Sequence, residues 1–325
     1  HPVSASPYAH IVWYETAHRQ RVAWLSAIER AIEKADADVY YQRGLAIHTV
    51  AASRVARRSN RGFVWAASND KDALGAIAYF TTILAERQRL GSRRPSLRMV
   101  ASAILDTAVH CMASYSLSQA DVILVQNTAQ RVGLAKRLRR TQDRMVICPQ
   151  AVEEVQASTD PKSPTVLWVG GNKGAKRPEL FIEIAGLGPR SLEYVMLGKA
   201  MTHSVWASAR RTGLRIEDSV CHEELLRIMS QSIALVCTSS SEGFPNVFLE
   251  AWACSTPVIT LGVDPDGVIE ENGLGWVCRD AAEAAELLDV LVRNPRQLEE
   301  YATRCAAFHQ QLLGENAAVV AATAC

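Results

Sequence analysis

The sequence predicts an α/β chain of two domains, each built on a parallel sheet with helices packed against it. Three observations carry this reading. Residues 165–293 alternate apolar strand and amphipathic helix without interruption, the pattern of a parallel sheet covered on both faces. Residues 38–148 repeat the alternation more thinly. Between them, 153–164 reads GluGluValGlnAlaSerThrAspProLysSerPro, polar and marked by proline, as a linker should be. With 325 residues and 48% hydrophobic content, the chain has enough apolar surface for two cores.

In chain order, strands are expected at 38–42, 63–67, 121–126 and 146–148 in the first half. In the second, a strand at 165–170 leads to a helix at 177–185. Strand 193–198 then leads to a helix at 203–210, and further strands follow at 232–237, 257–260 and 275–278. The predicted bounds are 1–152 for the first domain, 153–164 for the linker and 165–294 for the second domain. A terminal amphipathic helix lies within 295–325, clearest over 295–313. Ligands in such folds bind beyond the strand C-terminal ends. The loops after Val169, Leu197 and Cys237 leave such ends and are expected to converge.

Net charge is +1, but unevenly divided. Residues 1–150 hold 21 Lys and Arg against 11 Asp and Glu, giving +10, and residues 151–325 hold 14 against 23, giving −9. A basic half suits an anionic membrane surface or a phosphorylated acceptor; the plain alternative is attraction between the halves. The best local support for lipid contact is the cationic stretch 131–144, expected as one helix with Val132, Leu134, Ala135 and Leu138 as its apolar part. No aromatic platform or known motif accompanies the charge, so nucleic acid is not expected. The apolar run at 317–324 is far shorter than the ~20 residues that span a bilayer. Eight dispersed cysteines without a CxxC pair fit a reduced, cytoplasmic protein, placed there freely or at the inner face of the cell membrane. Neither cysteines nor histidines show zinc spacing, so no metal ligands are assigned.

The richest stretch is ValCysThrSerSerSer-Glu242-GlyPheProAsnValPheLeu-Glu250-AlaTrpAla. Residues 232–237 read as a buried strand and 238–244 as its loop, and Pro245 suits the first turn of a helix. Helix starts gather unpaired N–H groups and positive potential, so a diphosphate can rest there. Glu250 lies one turn beyond Asn246 on the same face.

This spacing of two glutamates, followed by AlaTrpAlaCysSerThrProValIle, resembles the retaining nucleotide-sugar glycosyltransferases of GT-B family 4. The likeness covers about 35–310 and is strongest over 165–280. It implies a GT-B fold of two facing Rossmann-like domains. The N-terminal one is expected to be truncated, because the opening strand and glycine-rich loop of the family are not found. The resemblance implies a metal-independent transfer from a nucleoside-diphosphate sugar, a substrate rather than a cofactor. The acceptor would be a glycan, a lipid-linked molecule or a small molecule bound at the first domain, and the terminal helix would cross back onto that domain.

The resemblance also implies site residues. Glu242 would face the donor sugar and Glu250 would take the ribose hydroxyls. Lys176, in GlyGlyAsnLysGlyAlaLysArgProGlu, would hold the diphosphate with Arg177 beside it. Gly170 opens the first loop, and Gly171 stands where the family usually has arginine, with Lys173 as a nearby substitute. Gly198 ends the second strand, and Gly243, Phe244, Pro245, Asn246 and Val247 complete the donor loop. Glu242 and Lys176 are the expected catalytic pair. Ser68, Asn69 and Asp70 occupy the exit where the family often has a histidine.

Three rivals come from other chemistry. Asp70-Lys71-Asp72 after an apolar strand has the form of a manganese and diphosphate motif. The two glutamates could serve a hydrolase as acid and base, which a helical Glu250 disfavours. A catalytically silent donor-binding or scaffold subunit would fit Gly171 and the Ser68-Asn69-Asp70 exchange.

Overall fold

The computed structural model describes residues 21–90, 96–139, 142–148, 162–171, 175–199, 201–218 and 220–323. Lys173 and most of the expected linker lie outside them. The chain divides into two compact units, residues 1–84 with 95–148, and residues 85–94 with 149–325.

The first unit holds strands β1 (Val39–Arg43), β2 (Gly62–Ala66), β3 (Val122–Val125) and β4 (Met145–Ile147) in one parallel sheet of order β1-β2-β3-β4. Its helices are α1 (Arg21–Ala35), α2 (Ile47–Ser59), α4 (Leu97–Leu117) and α5 (Thr128–Leu138), with the part of α3 (Ala76–Leu90) up to residue 84. Because the strand order follows the chain, right-handed crossovers put the linking helices on one face. That face is the core: Tyr40, Phe63, Trp65, Ile123, Val125 and Met145 pack with Ala52 and Val55 of α2, Leu117 of α4 and Leu134 of α5. On the opposite face Val39, Tyr41 and Val146 are exposed.

The cationic stretch departs from expectation. Helix α5 stops at Leu138 because Arg139 takes a left-handed conformation (φ 50°), and residues 142–144 form a separate short turn. Leu134 and Ala135 are buried in the core and Leu138 packs on it. Three of the four apolar residues of this helix therefore serve the core, and Val132 alone is exposed.

The second unit is a six-stranded parallel sheet of order β10-β9-β8-β5-β6-β7. Its strands are β5 (Thr165–Gly171), β6 (Glu193–Lys199), β7 (Arg215–Glu217), β8 (Ala234–Cys237), β9 (Val258–Thr260) and β10 (Gly275–Val277). Helices α6 (Pro178–Leu187), α7 (His203–Thr212) and α11 (Ala281–Arg293) pack on one face around Trp168, Phe181 and Met196. Helices α8 (His222–Gln231), α9 (Asn246–Ala253), α10 (Val268–Asn272) and α12 (Pro295–Thr323) pack on the other around Leu167, Leu235 and Trp252. Phe308 of α12 meets Trp252 of α9 edge-on, ring centroids 5.3 Å apart. From β5 the chain runs outward through β6 and β7, then returns to β5's other side at β8. The order of strands thus reverses between β5 and β8, the place where ligands enter open α/β sheets.

Candidate functional site

Two loops leave the sheet on either side of this reversal, and backbone bonds join them. Ser240 N donates to Ala175 O at 2.8 Å, and Thr238 Oγ1 donates to Lys176 O at 2.6 Å. Thr238 Oγ1 also accepts from Trp168 Nε1 at 2.9 Å, so the indole beneath β5 anchors the loop that follows β8. Across this joint Lys176 Nζ lies 2.6 Å from Glu242 Oε1, both side chains about one-fifth exposed (23% and 20%). A salt bridge thus sits at the switch point, screened enough to matter and open enough to meet a ligand.

Arg177 takes up a different task from its neighbour. Its Nε donates to Thr238 O, and its Nη2 donates to Ser239 O (3.1 Å) and Leu261 O (2.9 Å). Its backbone is left-handed (φ 47°) at the N-cap of α6. A guanidinium bound to three carbonyls from two loops works as a clamp on the site.

The glycines at the strand ends have steric reasons. Gly170 and Gly198 are register partners in β5 and β6. A Cβ on Gly170 would come within 2.7 Å of Trp168 Cη2, and Trp168 is fully buried. A Cβ on Gly198 would meet Met201 Cε and lie 3.2 Å from Gly170 O. Gly171 sits partly exposed at the end of β5.

Helix α9 begins at Asn246, one residue later than expected, with Pro245 as its N-cap (φ −66°, ψ 121°) and no side-chain cap. Pro245 O accepts from Phe248 N at 3.0 Å. Among the described residues no acceptor meets the amides of Asn246 and Val247, the ordinary state of a first helical turn. Gly243 and Pro245 are buried and Asn246 is exposed. Phe244 meets Trp252 edge-on at 6.2 Å, which pins the loop to the core below it. Glu250 is half-buried one turn past Asn246. At the end of β8, burial pushes the Cys237 thiol up, so it stays protonated and is no nucleophile.

Other loop carboxylates have structural duties. Asp72 is 5% exposed; its carboxylate accepts from Leu45 N (3.1 Å), Ser68 N (2.7 Å), Ser68 Oγ (2.9 Å) and Asn69 N (3.3 Å). Asp70 Oδ1 accepts from Gln130 Nε2 (2.9 Å) and Asn127 Nδ2 (3.3 Å). The Asp-x-Asp pair is thus a loop lock. Asp264 accepts from Ile269 N (2.8 Å) and Glu270 N (3.3 Å), which makes its turn a cap for α10. Sequence reasoning missed the roles of Trp168 and Thr238, whose only signal was an indole within one strand and a hydroxyl just past the end of the adjacent one.

Comparison with known proteins now bears on this geometry. Residues 163–294 match the family described as glycosyl transferases group 1. No curated protein matches the chain by sequence. The structure resembles HepE from Anabaena, solved with UDP and glucose (TM-score 0.67, 13% identity, 93% of this chain and 81% of that one). The fold is GT-B. It also resembles TarM from S. aureus, a point mutant of which was solved with fondaparinux, alpha-GlcNAc-glycerol and UDP (TM-score 0.64, 12% identity, 89% and 57%). A third neighbour is the pneumococcal O-GlcNAc transferase GtfA, solved with UDP and GlcNAc (TM-score 0.61, 12% identity, 91% and 60%). The family match falls on the unit that carries Lys176, Glu242 and Glu250. Among the described residues, no helix is long and apolar enough to cross a membrane.

Proposed function

We propose that this chain is a retaining, metal-independent glycosyltransferase that takes a sugar from a nucleoside-diphosphate sugar held by the second unit. It passes the sugar to a glycan, lipid-linked or small-molecule acceptor. The observation that carries this is the Lys176–Glu242 pair at the β5/β8 reversal, beside the open amides at the start of α9. Transfer needs little covalent help. The sugar carbon turns cation-like as its bond to the diphosphate oxygen breaks, and negative charge grows on the departing phosphate. Lys176 and the amides of Asn246 and Val247 would receive that charge. Glu242 would face the sugar and steady its cationic character, and Glu250 would hold the ribose hydroxyls.

With no nucleophile at hand, attack comes from the face the phosphate leaves. The acceptor hydroxyl forms the new bond to the sugar carbon and its proton passes to the departing phosphate oxygen. Freedom from a divalent metal is supported by the donors already filling Asp70 and Asp72. Turnover should therefore survive excess chelator. The seven cysteines among the described residues are all free thiols, which suits a reducing cytoplasm. Because the neighbours above were solved with UDP, uridine nucleotides are the first donors to test.

A thermal-shift screen of nucleotide-sugars names the donor, and single-turnover assays then test the roles. Glu242→Ala should lower turnover at least about a hundredfold with the fold intact, whereas Glu250→Ala should chiefly weaken nucleotide binding. Wild-type rates and affinities in both variants would remove the assignment. Donor binding without any sugar release or transfer would instead favour a silent donor-binding subunit.

A further inference from the structure

The helix α4 is apolar on both sides. In 21 residues, LRMVASAILDTAVHCMASYSL, the only charges are Arg98 and Asp106. Its inner stripe, Ala103, His110, Ala113 and Leu117, is buried in the first unit. The opposite stripe, at helical spacing, carries Leu97 (89% exposed), Ile104, Leu105, Met112 and Tyr115 (76%). By angle Asp106 belongs to the inner half and Arg98 stands at the stripe's edge beside Leu105, so the outer stripe carries no acid over roughly 30 Å. A helix apolar all round needs a second cover. No helix among the described residues can span a bilayer, so the stripe can lie on one but not cross it.

What borders the stripe says what covers it. Arg54 and Arg57 of α2 line a groove of about 490 Å³ together with Cys111, Met112 and Tyr115 of α4. Glu29 and Glu33 engage Arg54 and Arg58, while Arg57 has no ion-pair partner among the described residues. The surrounding half of the chain is at +10. An apolar strip rimmed by arginine is complementary to an anionic bilayer surface, where acyl chains take Met112 and Tyr115 and headgroups take the cations. A second copy is the poorer occupant. An isologous contact through α4 would turn Arg54 and Arg57 of each protomer toward the same patch of its partner.

We infer that α4 and the adjoining α2 rim form a peripheral docking surface for an anionic membrane. This goes beyond the donor-site reading and stands without it. The test is cosedimentation of the full chain with phosphatidylcholine vesicles, pure or doped with phosphatidylglycerol. The wild type should pellet with doped vesicles only, and less as salt rises. The double variant M112E/Y115E, at two exposed positions, should bind at least about tenfold more weakly, and Arg57→Glu about fivefold. Both should keep the wild-type melting temperature and nucleotide affinity. A wild type that ignores doped vesicles, or an M112E/Y115E variant that pellets as well as the wild type, overturns the inference. A wild-type dimer that M112E/Y115E converts to monomer, without lipid binding in either, would assign the face to a second copy instead.

Discussion

Replacing Glu242 by glutamine should move binding and turnover in opposite directions. Without ligand, Lys176 spends its charge on Glu242 at 2.6 Å, with about four-fifths of each side chain out of solvent. At an effective dielectric of ~20 the gross attraction is about 6 kcal/mol. Desolvation of both ions offsets most of it, leaving roughly 1–2 kcal/mol net. A diphosphate that claims Lys176 must draw it from this pair and must also sit near the carboxylate's negative charge. Glu242→Gln keeps the shape and removes both costs, so a nucleoside diphosphate should bind about five- to thirtyfold tighter. The same change withdraws the carboxylate from the cation-like sugar carbon, so single-turnover transfer should fall. Calorimetry with the diphosphate, paired with rapid-quench transfer, reads both. Weaker or unchanged diphosphate binding in Glu242→Gln would refute the idea that Lys176 is the shared hand.

The other predictions concern the frame of the site. Arg177→Ala frees three carbonyls from their donor and should cost about 3 kcal/mol in chemical denaturation; a loss under about 0.5 kcal/mol would mean the clamp is idle. Gly170→Ala puts a methyl 2.7 Å from Trp168 Cη2 and should displace the indole from Thr238, lowering transfer and shifting Trp fluorescence, whereas an unshifted spectrum would contradict the packing. Lys162 donates to Thr256 Oγ1 (2.7 Å) and Cys254 O (3.3 Å), and burial lowers its pKa from 10.5 to about 8. Between those values the unfolded chain binds the extra proton, so this group's contribution to stability rises with pH from about 8 to 10.5 and is flat below. The stability of wild type relative to Lys162→Met should climb across that window, and a flat difference would exclude it.

Much of the fold is legible because parallel strands buried on both faces read as continuous apolar runs: 165–170, 193–198 and 232–237 each fall on a strand. Strand β7, ArgIleGlu, is invisible, since an edge strand of three residues has no apolar run to announce it. Helix α5 reads too long because no glycine marks its stop; Arg139 makes the left-handed turn that only coordinates disclose. At the site, Lys176 and Glu242 lie 66 residues apart in sequence, and only a likeness to known enzymes suggests them together. Arg177 shows the limit of reading charge from sequence. A cation beside a phosphate loop can face ligand or carbonyl, and its φ of 47° and three backbone bonds turn it to the carbonyls. Helix α4 passes unmarked for a related reason: apolar composition reports a need for cover, not what supplies it.

The central claim is that a diphosphate rests at the start of α9 beside Lys176. Hydrogen exchange over residues 238–253, with and without the nucleoside diphosphate that binds, tests it most directly. The account predicts slower exchange at Gly243, Asn246 and Val247, lost in Lys176→Met. Protection elsewhere in the chain, with those amides unchanged, would contradict it.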